Sequence, residues 1–239
     1  MRWLGTTRPG PADVMTLGNA ACGASAILVV MSYSGRPLHE LTHTGVRLVV
    51  VLLLVGTIFD SLDGRFARGG RGTAMGPMLD SLADAVSFGL APAALLAQVA
   101  LSGAVGVESA LVLLGFIIYV AGALLRLADF SSCRADEPQF TGMPSPLAAV
   151  MLLSLVLLTS NVVVLAVGMA VIGLLMVSRL AYPLQRGPIV ALAVLGWVLG
   201  IAGTLGLYDV RIFAAFVLLM GGVVLPCLPR LRPRVRAAV

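Results

Sequence analysis

The chain has 239 residues, of which 59% are hydrophobic and only 11% charged, with a formal net charge of +5. This composition and a mean hydropathy of +1.02 exclude an ordinary soluble domain and indicate an integral membrane protein. All sixteen basic residues are arginines, and they recur at intervals between apolar segments instead of along one amphipathic face, which argues against nucleic-acid binding.

In chain order, apolar stretches of spanning length cover 14–34, 45–66, 77–101 and 108–130. The first follows Arg2 and Arg8, but its apolar run is longer than a usual signal-peptide core and has no convincing cleavage site before Ser34, so it is read as a retained span. Residues 146–178 are too long for one ordinary span, and Ser160-Asn161 is their only polar break, which predicts a tight hairpin of two short helices. Spans at 188–207 and 210–227 complete a count of eight. The arginines support that count, because cytoplasmic loops carry the positive excess. With a cytoplasmic N-terminus, eight spans leave only Arg36, Arg47 and Arg211 outside, whereas a single span over 146–178 would export Arg179 and Arg186. The expected fold class is all-α, a polytopic membrane helix bundle with eight transmembrane helices and both termini facing the cytoplasm.

Four of the eleven acidic residues fall in one window: Asp60-x-x-Asp63-Gly64-x-x-Ala67-Arg68, then Gly76-x-x-x-Asp80-x-x-x-Asp84. Four uncompensated aspartates in a bilayer would cost on the order of 10 kcal/mol or more. Gly69-Gly70-Arg71-Gly72 breaks the second span, and Gly76 as N-cap with Pro77 as the first helical residue starts the third. From these ends, Asp60 and Asp63 on one helix and Asp80 and Asp84 on its antiparallel partner reach similar depths. Spacings of i,i+3 and i,i+4 put each pair on one helix face.

Facing carboxylates repel unless cations sit between them, and oxygen-only ligands suit hard divalent metals. Two ions about 3.5 to 4 Å apart would use all four carboxylates. Such a site beside Arg68 and a glycine-rich turn suits a diphosphate, with Gly64 and Gly76 leaving room for a nucleotide or another backbone. The plainer alternatives are acids paired with Arg65, Arg68 and Arg71 at a charged helix end, or a cation path through a transporter or channel. The outer halves of the second and third spans carry no titratable group beyond Arg47, which argues against a path.

The full pattern, D-x-x-D-G-x-x-A-R, seven residues, then G-x-x-x-D-x-x-x-D, resembles the signature of the CDP-alcohol phosphotransferase family at every fixed position. The resemblance implies metal ligation by Asp60, Asp63, Asp80 and Asp84, with magnesium or manganese as the two ions. It implies Asp84 as general base on the acceptor hydroxyl, and a CDP-diacylglycerol site at Gly64, Arg68, Gly76, Thr16 and Asn19. It also implies a homodimer.

Flanking residues resemble the phosphatidylserine synthase branch: Val86-Ser87-Phe88-Gly89 with Ala91-Pro92, Arg126-Leu127-Ala128, Gly142-x-Pro144-Ser145-Pro146, Tyr182-Pro183, and Thr16-Leu17-Gly18-Asn19 with Cys22-Gly23. That branch implies L-serine as acceptor and a multi-pass protein of the cell membrane. Asp129 departs from it, standing where a basic residue is expected. The domain reading is a catalytic membrane domain over 1–183, two additional transmembrane helices over 184–227 and a basic cytoplasmic tail over 228–239.

Serine needs a partner for its carboxylate, and Arg126 is the candidate, with Arg134 and Arg179 as alternatives. Ser87 is a second acceptor-site candidate, although a serine in a membrane helix more often bonds its own helix or a neighbour. Other acceptors (inositol phosphate, glycerol phosphate or choline) and an archaeal ether-lipid donor belong to the same chemistry. His39 and His43 have metal-ligand spacing but fall on the opposite side from the aspartates. Gly196-x-x-x-Gly200 suits helix packing. The tail arginines Arg230, Arg232, Arg234 and Arg236 suit anionic headgroups or a topological anchor.

Overall fold

The computed structural model describes residues 9–34, 44–132, 142–180, 182, 196, 199–200, 202–203, 206 and 209–224. Among them the only regular elements are helices: α1 (Pro11–Ser32), α2 (Val46–Phe66), α3 (Gly76–Leu101), α4 (Val107–Ser132), α5 (Ser145–Leu158), α6 (Val162–Met176) and α7 (Val210–Leu219). Three stretches, Pro11–Ser32, Gly76–Leu101 and Val107–Asp129, are long and apolar enough to cross a membrane. α2 has comparable length at 21 residues, but Arg47, Asp60, Asp63 and Arg65 interrupt its apolar character. The protein is a helical integral membrane protein. Most of the expected 188–207 span, His39, His43, Arg134 and the basic tail lie outside the described residues.

The hairpin expected at Ser160-Asn161 is present. α5 ends at Leu158, and α6 starts with Asn161 as N-cap, its side chain accepting from the Val164 amide at 3.1 Å. With 14 and 15 residues, these helices fall short of a full bilayer crossing. Backbone bonds from Gly142 to Leu180 and from Met143 to Leu175 close the hairpin at its open end.

α1 packs along α2 and α3, α4 along α6, and α5 against α6 and α7. Buried Leu53, Leu54, Leu95, Leu96, Tyr119, Leu152, Leu165 and Met169 fill the space between them. With lipid outside as apolar as the core, such packing depends on backbones approaching closely. A side chain at Gly122 of α4 would run into the Gly173 carbonyl of α6, and one at Gly23 of α1 would meet Ser87 of α3.

α3 has a π-helical turn, Ala85–Leu90, between α-helical stretches Gly76–Asp84 and Ala91–Leu101. Its start differs by one residue from the sequence expectation: Met75 is the N-cap and Gly76 the first helical residue, because the Met75 carbonyl already accepts the first intrahelical bond, from the Leu79 amide at 3.0 Å.

Candidate active site

α2 breaks where its glycines require. Gly70 has φ of +79°, a conformation that ends a right-handed helix and strongly favours glycine. The chain turns through Gly72–Met75 into α3, so Asp60 and Asp63 on α2 meet Asp80 and Asp84 on α3.

One carboxylate oxygen from each of Asp60, Asp80 and Asp84 lies within 4.8 Å of the others. Asp84 is 8% exposed and Asp63 6%, while Asp60 and Asp80 are half-buried. Asp63 is close enough for its charge to repel Asp60, Asp80 and Asp84. Acids this close and this sheltered from water repel one another unless protons or a cation neutralise them. The donor set fits a cation: Asp80 Oδ1 is buried without a hydrogen-bond partner beside two other carboxylates, an all-oxygen arrangement of the kind hard divalent ions take.

Thr16 and Asn19, expected at the CDP-diacylglycerol site, both reach the aspartates. The Thr16 hydroxyl donates to Asp63 Oδ2 at 2.7 Å, and Asn19 Nδ2 donates to Asp84 Oδ1 at 3.0 Å. Gly56 leaves the space in α2 where Asn19 Oδ1 sits, 3.0 Å from where a β-carbon would stand.

Gly64 and Gly76 flank the turn and are partly exposed. The backbone of Arg68 continues α2 into that turn, while its side chain lies outside the described part, as does that of Arg71.

Ser87 is fully buried, and its hydroxyl donates to the Asn19 backbone carbonyl at 2.8 Å, fastening α3 to α1. Three contacts set the register of α3 against antiparallel α4: the Ser81 and Ser131 hydroxyls at 2.7 Å, Gly89 opposite Ala123, and Tyr119 Oη donating to the Phe88 carbonyl at 2.8 Å. By that register Arg126, 9% exposed, lies at the depth of Ala85 and Val86, within a turn of Asp84. Arg179 lies beyond α6, after Met176.

One residue of this region escaped the sequence reading. Asp13 in the first turn of α1 is fully buried, accepting from the Gly10 amide at 2.7 Å and from the Thr73 hydroxyl at 2.9 Å. An acid three positions after the N-cap, here Gly10 with Pro11 as first helical residue, is a capping signal that could have pointed to it.

The fold and the site define a helical membrane protein in which α2 and α3 bring aspartates together beside a glycine-rich turn, a donor set that suits a divalent ion. Residues 11–180 match the family model described as CDP-alcohol phosphatidyltransferase. The chain is 34% identical over 173 residues to a CDP-diacylglycerol–serine O-phosphatidyltransferase of Bacillus subtilis, covering 71% of this chain and 88% of that protein. It is 38% identical over 133 residues to a Methanocaldococcus jannaschii protein of the same name, covering 55% and 62%. A third relative, an archaetidylserine synthase of Methanothermobacter thermautotrophicus, is 33% identical over 184 residues, covering 73% and 70%. The chain belongs to the CDP-alcohol phosphatidyltransferase family. It is an enzyme of that class, a membrane transferase of phospholipid biosynthesis.

Proposed function

We propose that this enzyme transfers the phosphatidyl group of CDP-diacylglycerol to the hydroxyl of L-serine, giving phosphatidylserine and CMP. The convergence of Asp60, Asp80 and Asp84 carries the chemical part of this reading, and the names of the relatives support the choice of substrates.

The serine oxygen attacks the lipid-side phosphorus in line. The new P–O bond forms as the bond to the oxygen bridging to CMP breaks, and CMP leaves with that oxygen. Asp84 takes the hydroxyl proton as general base. The Asn19 bond fixes Oδ1 of Asp84 and so orients the carboxylate; position contributes more here than intrinsic basicity. Asp60, Asp63, Asp80 and Asp84 would hold two magnesium or manganese ions, which supply charge stabilisation on the diphosphate when bound. Gly64, Arg68 and Gly76 line the CDP side, Arg126 pairs with the serine carboxylate, and Ser87 shapes the acceptor wall.

The same reading carries the wider organisation: eight spans, a catalytic domain over 1–183, two further helices over 184–227, a basic tail over 228–239, the active site and both termini facing the cytoplasm, and a homodimer. The archaetidylserine synthase among the relatives favours one variant, the same acceptor with an ether-lipid donor.

The test is CMP release by detergent-purified protein with magnesium or manganese. Serine, inositol phosphate, glycerol phosphate and choline are assayed in parallel against diacyl and ether-linked CDP-lipids. Serine-dependent release from the diacyl lipid is expected. Release with another acceptor alone would keep the family and overturn the serine assignment.

A further inference from the structure

Three polar residues of α1 recur every third position, Asp13, Thr16 and Asn19, and therefore share one helix face. All three are buried, at 0%, 3% and 0% exposure. Each reaches a different part of the acidic hairpin. Asp13 holds Thr73 in the connecting turn, Thr16 holds Asp63 on α2, and Asn19 holds Asp84 on α3. Ser87 adds a fourth tie to the Asn19 backbone.

Each bond engages one named carboxylate oxygen. Thr16 occupies Oδ2 of Asp63 and Asn19 occupies Oδ1 of Asp84. The Thr16 hydroxyl also has the Ala12 carbonyl at 3.1 Å, but a hydroxyl has one proton, and the shorter contact to a carboxylate is the stronger. Neutral donors of this kind fix a ligand's rotamer without adding charge, and groups that orient metal ligands typically govern metal affinity by about 10- to 100-fold.

We propose that Thr16 and Asn19 are positioning residues: from a helix outside the D-x-x-D motif they each hold one oxygen of one aspartate, one from each motif helix, so that the site is preset for its cations before substrate arrives. This rests on the metal-dependent reading of the aspartates, and differs from the expectation that the two residues bind the CDP-lipid directly.

The experiment measures Mn2+ binding to the detergent-solubilised full chain by the loss of the free-ion paramagnetic resonance signal, beside steady-state CMP release. The variants are Thr16→Val, Thr16→Ser and Asn19→Leu. The expected result is a Kd for Mn2+ about 10-fold or more weaker in Thr16→Val and Asn19→Leu. Thr16→Ser should stay within about twofold of the parent because it restores the hydroxyl, which also shows that the site still folds. KM for CDP-diacylglycerol, measured at Mn2+ concentrations that saturate each variant, should remain within about twofold in all three. Unchanged Mn2+ affinity together with a raised KM for the lipid would overturn the proposal in favour of direct lipid contact. Parent protein that does not bind Mn2+ would overturn it as well. Parent protein that binds Mn2+ but releases no CMP with serine would sink only the serine assignment, leaving the α1 proposal to be decided by the binding data.

Discussion

The Tyr119 hydroxyl of α4 donates to the Phe88 carbonyl of α3 at 2.8 Å in a fully buried setting. Phe88 lies in the π-helical turn Ala85–Leu90, just before Pro92. Pro92 has no backbone N–H, so this part of α3 is one ladder donor short. In lipid no water replaces that donor, and a neighbouring side chain must. Tyr119→Phe should therefore destabilise the protein by roughly 1–3 kcal/mol by stranding a buried carbonyl. Pro92→Ala in the same background should recover part of that loss by restoring an N–H. Unfolding midpoints in mixed micelles for the two single variants and the double variant check the coupling; strict additivity would show that the two residues act independently.

Asp13 joins the start of α1 to the turn between α2 and α3, across 60 residues of sequence from Thr73. Asp13→Ala removes both its cap to Gly10 and its bond to Thr73, and should cost roughly 1–3 kcal/mol in the same unfolding measurement. Thr73→Val, which removes only the second bond, should cost less. A larger loss from Thr73→Val would show that the turn, and not the helix cap, is the principal part of this contact.

Legibility in the sequence followed the range of the interaction. The break at Ser160-Asn161, the end of α2 at its glycines and the common level of the aspartates all follow from local rules. Periodicity, Gly70 at positive φ and the 1.5 Å rise of a helix are enough for them. The start of α3 was one residue off because the first intrahelical bond already runs from the Leu79 amide to the Met75 carbonyl. The α1 contacts were not legible, since Thr16 to Asp63 and Asn19 to Asp84 span 47 and 65 residues and no local spacing encodes which helix packs on which. The role of the Tyr119 hydroxyl was hidden for the same reason, although Pro92 announced that some donor was required.

Chelation with EDTA should abolish CMP release, and returning magnesium or manganese should restore it. Asp80→Asn removes one of the converging carboxylates and should raise the metal concentration needed for half-maximal activity. Asp84→Asn should lose about 100-fold or more in kcat even at saturating metal, because a proton acceptor is missing as well as a ligand. Activity that survives chelation would overturn the metal-dependent mechanism.

Arg126 is buried at the level of Ala85 and Val86, close to Asp84 in depth. If it pairs with the serine carboxylate, the guanidinium's two parallel donors matter more than its charge. Arg126→Lys keeps the charge and loses the fork, so KM for serine should rise about 10-fold, corresponding to about 1.4 kcal/mol, while KM for CDP-diacylglycerol stays within about twofold. A rise in both constants with lowered thermal stability would assign Arg126 to helix packing. An unchanged KM for serine in a stable variant would move the acceptor's carboxylate to another group, with Arg179 the next to test.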